Sequence, residues 1–119
     1  MKIRSTFDCK IDVDFQDPAK AQAYFIDGDW RDFFYAFDNL EEVTEHLALN
    51  FHKADEYYDH EGLNRSIEGF GSYVYQPETH EWRLSEDAEP DEESLDCGMI
   101  VIRYEQDLKC SDIEKLPNQ

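Results

Sequence analysis

The side chains able to do covalent chemistry are few. Cys9, Cys97 and Cys110 are the thiols, and His46, His52, His60 and His80 are the imidazoles that could serve one of them as a base. No CxxC spacing and no local signature joins any cysteine to any histidine, so the odd set of thiols reads as reduced side chains, two packed in strands and one near the tail. His52, Glu56 and His60 recur every four residues, which on a helix would put two imidazoles and a carboxylate on one face, a set suited to a transition metal. Such spacing is also common on a solvated helical face, and HExxH is absent; the expectation is no metal and no cofactor. Asp8, Asp12 and Asp14 would share a strand face able to attract a hard cation, but Lys10 interrupts them and no EF-hand loop is present. Gly69-Phe70-Gly71 lacks the third glycine of a dinucleotide fingerprint, and carboxylate pairs say little in a chain with 29 acids. An enzyme is not expected.

The elements that must position these groups can be read from periodicity. Ile3, Phe7, Cys9, Ile11, Val13 and Phe15 occupy odd positions and polar residues the even ones, the alternation of a strand with one buried face. Asp17-Pro18 opens a short helix that runs to about Ile26, and Trp30 to Phe37 forms a helical turn plugging the core. A main helix starts at Asp38 or Asn39, each with a glutamate three residues on. It carries the apolar stripe Leu40, Val43, Leu47, Phe51, Ala54 and Tyr58, and stops at Gly62. A hairpin follows, Tyr73-Val74-Tyr75 returning through Trp82-Arg83-Leu84. Next come a mobile acidic loop over 85–96, a central strand Met99 to Ile102, and a frayed or weakly helical tail over 107–119. The expectation is one α+β domain over 1–119: a mostly antiparallel sheet of about four strands with helices packed on one face. With no long apolar stretch and no apolar leader after Met1, the expected location is the cytoplasm.

The charge is the strongest signal. Against 29 Asp+Glu stand 11 Lys+Arg, a net charge of −18, so direct binding to nucleic acid or to an anionic membrane is disfavoured. Residues 38–62 and 86–96 each hold −7 of that total. A helix from Asp38 to Glu61 would be about 36 Å long, with roughly one acid per 4.5 Å of axis. Phosphates along a DNA strand are spaced at about 3.4 Å, a comparable density.

In size and charge distribution the chain resembles the acidic nucleic-acid mimics of the anti-CRISPR and anti-restriction type, and also the acidic immunity proteins that neutralise nuclease toxins. The residues that carry the resemblance are the Asp38 to Glu61 segment and the Glu86 to Asp96 run, about a third of the chain. The resemblance implies a small inhibitor that fills the basic groove of a nuclease, CRISPR or restriction effector in place of phosphate, with a toxin as the alternative target. The expected contacts are Glu41, Glu42, Glu45, Asp55, Glu56 and Asp59; Glu86, Asp87, Asp91, Glu92 and Glu93; and two acid-flanked aromatics, Tyr57 beside Glu56 and Trp30 between Asp29 and Asp32. A third reading is an acidic accessory domain with no charged partner. Halophilic acidity would coat the whole surface, whereas 63–85 and 97–119 are each only −1.

Overall fold

The computed structural model describes residues 1–85 and 95–117, the side chains of 106–111 excepted. Strand β1 (Lys2–Phe15) leads into α1 (Pro18–Gln22), a π-helical turn (Ala23–Asp27), α2 (Trp30–Phe33) and α3 (Leu40–Lys53). Then come β2 (Glu56–Asp59), β3 (Gly62–Ile67), β4 (Gly71–Gln76), β5 (Glu81–Ser85) and β6 (Ile100–Leu116). The strands form one antiparallel sheet in the order β1-β6-β5-β4-β3-β2.

The strand expected of β1 is present, but its buried face begins only at Ile11, with Ile3, Phe7 and Cys9 exposed. Its odd residues Ile11, Val13 and Phe15 face the core opposite Tyr104, Ile102 and Ile100. The same face continues across the sheet as the row Val13, Ile102, Trp82, Tyr75. Asp17 caps α1, accepting from the Lys20 amide at 3.1 Å, and Pro18 occupies the first turn, where its missing N–H costs nothing. Asn39 caps α3 by accepting from the Glu42 amide at 2.9 Å. The stripe Val43, Leu47 and Phe51 is fully buried, with Phe51 edge-on to Tyr73 and Trp82.

The expected sheet of about four strands with helices on one face is wrong. Among the described residues the sheet has six strands, α1 and α2 are little more than single turns, and strand outweighs helix. Two misreadings account for the difference. The main helix stops at Lys53, not at Gly62, and the residues expected in its last turns form β2 and start β3. Ala54 and Tyr58 fit the helical stripe by coincidence of spacing, while the Tyr57-Tyr58 pair favours a pleated surface. Gly62, at φ +119, makes the tight turn between the two strands. The second misreading is the tail: β6 runs on to Leu116, which pairs with Lys2, so no helical turn follows Ser111. The acidic loop falls for the most part outside the described residues.

Candidate protein-interaction surface

Three carboxylates of the expected ribbon remain on α3. Glu41, Glu42 and Glu45 lie within about 6 Å of axis, a little over one turn, just after the Asn39 cap. Glu41 and Glu42 are in the first turn, where carboxylates favour the positive end of the helix dipole, so local electrostatics helps to hold those two there. Among the described residues none of the three enters an ion pair; Glu42 accepts a 3.4 Å hydrogen bond from the Asp38 amide.

Beside them lies a feature the sequence reading missed. Of the aromatic run expected to plug the core, Trp30 does so: it is 6% exposed, donates its indole N–H to the Gly69 carbonyl at 2.9 Å and packs on Phe25 and Phe70. Gly69 sits at φ +84, where a Cβ would press against the Phe34 ring at 3.1 Å. Phe37 also packs partly buried against Trp30, whereas the residues between turn outward, with Phe33 79% exposed and Phe34 and Tyr35 also in solvent. Leu49, off the buried stripe, is exposed as well. A groove of about 410 Å³ lies between the end of the aromatic run and α3, lined by Ala36, Phe37, Glu42, Glu45, His46 and Leu49. The His46 ring is held against Tyr35 at 4.1 Å and Phe37 at 5.4 Å. The result is an apolar floor with carboxylate walls, and exposed Asp29 and Asp32 lie at the start of the same segment. Large exposed apolar groups rimmed by charge mark a binding surface. Four aromatics between residues 33 and 37 with only partial helical spacing were the available signal.

The other expected residues are dispersed. Asp55 lies past the end of α3, and Glu56 and Asp59 are on β2, so no eight-acid helix exists. Glu56 is paired with Arg65 at 2.7 Å, and Asp59 accepts from Asn64 Nδ2 and from the Glu61 amide, both at 2.8 Å. Adjacent strand residues point to opposite faces, so Tyr57 is parted from Glu56 and its hydroxyl joins Ser66 and Ser72 instead. Glu86, Asp87, Asp91, Glu92 and Glu93 lie outside the described residues. The helical face proposed for His52, Glu56 and His60 does not exist either, since they sit on α3, on β2 and in the turn after β2. Asp12 and Asp14 do share a face, in a depression with Glu81 and Arg103, where Arg103 pairs with Glu81 at 2.9 Å.

One thiol does meet an imidazole. Cys9 Sγ lies 4.0 Å from His52 Nδ1, but that nitrogen is already hydrogen-bonded to the Tyr104 hydroxyl at 2.8 Å, and the two rings stack. The imidazole nitrogen is therefore shared, with its shorter contact to the tyrosine and its longer one to the sulfur. Cys97 is buried.

Behind this cluster Arg65, 8% exposed, lies under the rings of Phe51, Trp82 and Tyr104 at 4.8, 5.2 and 5.0 Å. It donates to the Phe51 carbonyl at 2.8 Å, a second bond to an oxygen that also accepts from the Ala54 amide at 3.2 Å in the last turn of α3. Arg65 thus fastens the helix that carries the acidic turn to the sheet. Among the described residues no helix is long and apolar enough to cross a membrane. A comparison with protein families, with curated proteins and with solved structures finds no match for this chain.

Proposed function

We propose that the protein is a binding inhibitor that docks the α2–α3 surface into the basic nucleic-acid groove of a nuclease or of a CRISPR or restriction effector. The observation that supports this reading is the groove in which Glu42 and Glu45, without ion pairs among the described residues, stand beside Phe37, His46 and Leu49, with the exposed Tyr35 ring packed on His46. Carboxylates recruit guanidinium groups, and aromatics beside them exclude water so that the pairs form in a lower dielectric. The charge also steers encounter with a cationic cleft from a distance, because the chain as a whole is −18.

The structure changes the mimicry expected from a long acidic helix. Only one turn of α3 presents its acids in a row, so the surface imitates a short stretch of phosphates anchored by an apolar contact, not a full strand. Binding to purified basic nucleases and effector complexes, with competing DNA present, tests this at about 50 and about 300 mM salt. Affinity should fall with salt and with DNA. Glu41→Lys, Glu42→Lys and Glu45→Lys together should abolish inhibition while the circular dichroism spectrum is unchanged, and Phe33→Ala should weaken it at least tenfold. Undiminished inhibition by the triple variant would overturn the assignment.

A further inference from the structure

Among the described residues β1 ends the sheet, with β6 on one side and no strand on the other. It is long, contains no proline, and is exposed from Lys2 to Lys10. The irregularities in its pairing put the extra residues on β6 (Thr6 and Phe7 face Asp112 and Cys110, Phe7 and Cys9 face Cys110 and Gln106), so β1 itself is unbroken. Of the usual protections of such an edge, β1 lacks a bulge of its own, prolines and short length; it has only charged side chains, which deter a partner strand where like charges meet and attract one where opposite charges do. Its core-facing side also carries Ile3 and Phe7 out into solvent, 59% and 55% exposed.

The charge on this strand differs from that of the body. Residues 1–10 hold Lys2, Arg4 and Lys10 against Asp8 alone, in a chain whose total is −18. Asp12 and Asp14 follow on the same side of the strand. A strand that is basic at one end and acidic at the other is complementary to itself when run antiparallel, the direction a two-fold axis imposes.

We propose that β1 is the interface for a second copy of this chain, the two strands pairing antiparallel about an axis at Cys9 and joining the sheets into one. Only registers that set odd residues opposite odd keep the apolar face continuous. With the axis at Cys9, Arg4 faces the partner's Asp14 and Asp8 faces the partner's Lys10. On the other side Phe7 faces the partner's Ile11 and Ile3 faces the partner's Phe15. No like charges meet between Lys2 and Gln16. Moving the axis to Asp8 sets that carboxylate against its own copy, moving it to Phe7 sets Arg4 against the partner's Lys10, and moving it to Thr6 sets Lys2 against the partner's Lys10. Moving it to Lys10 opposes Asp8 and the partner's Asp12. An axis at Ser5 avoids like charges but joins only Met1 to Cys9, and leaves Ile11 to Phe15 unpaired. Arg4 already touches Glu114 of its own chain at 3.5 Å, but its guanidinium has donors to spare.

Light scattering on the full chain at low salt should return twice the monomer mass. Arg4→Glu and Asp14→Arg should each raise the dimer dissociation constant at least tenfold, and the two together should restore it, which no effect confined to one chain would do. The axis is tested by oxidation with diamide, which takes two electrons and two protons from the paired Cys9 thiols as the Sγ–Sγ bond forms. Residues facing each other across an antiparallel pair lie about 4.5–5.5 Å apart at Cα, within disulfide reach. A covalent dimer that disappears in Cys9→Ser supports the register. A monomeric mass at all concentrations, a dimer indifferent to both charge reversals, or cross-linking that persists in Cys9→Ser would each overturn the proposal.

Discussion

Arg65 is the residue whose loss should matter most to the fold. It combines a 2.7 Å pair with Glu56, a 2.8 Å bond to the Phe51 carbonyl and contact with three aromatic faces. Glu56 is about half exposed, so the ion pair by itself is worth little; the cost of removal lies in lost packing and in the lost tie between the end of α3 and the sheet. Arg65→Ala should cost about 2–4 kcal/mol in denaturant unfolding. Arg65→Lys should recover only a minor part, because an ammonium cannot reach both acceptors while lying flat under the rings. Tyr73 is the opposite case. Its hydroxyl is fully buried with no hydrogen-bond partner among the described residues, and burial, with Cys97 nearby, holds its pKa well above the ordinary 10.0. The folded state therefore keeps the proton after the unfolded chain has released it. The corresponding stability is present in full below pH 10 and is lost as pH rises above it. Tyr73→Phe should be neutral or stabilising by about 1 kcal/mol at pH 7 and should lose stability less steeply above pH 10 than the native chain. A substitution that destabilises at neutral pH would contradict an unsatisfied hydroxyl.

Among the elements, α3 depends on its start. Asn39 closes the first turn, and that turn holds Glu41 and Glu42. Asn39→Ala should lower stability by about 1 kcal/mol and fray the turn, visible as faster amide exchange at Glu41 and Glu42. This boundary was legible because a cap is a local event between residues three apart. The other end of the helix was not. Lys53-Ala54-Asp55 contains no glycine or proline, and the stop is imposed by Arg65 holding the Phe51 carbonyl and by Glu56 to Asp59 pairing with Gly62 to Arg65. The aromatic run was half legible: its types announced packing, but whether each ring turns in or out depends on Phe70 and Gly69, more than thirty residues along the chain.

For the whole molecule, the net charge of −18 sets a stability that should depend on salt. Few of the acids are paired among the described residues, so self-repulsion is screened mainly by counterions. The melting temperature should rise by about 5 °C between about 20 and about 500 mM sodium chloride, corresponding to roughly 1–2 kcal/mol. A flat or falling response would mean that the carboxylates are neutralised within the fold. What the sequence by itself determined is what depends on neighbours in the chain: the alternation of β1, the caps of α1 and α3, the buried stripe of α3, the β4–β5 hairpin and the excess of acid. The tertiary structure alone decided where α3 stops, that β6 extends to Leu116, which carboxylates stand together and which rings face water. Those outcomes rest on pairing between strands distant in sequence, whose hydrogen bonds and shared faces leave no periodic trace in either partner taken alone.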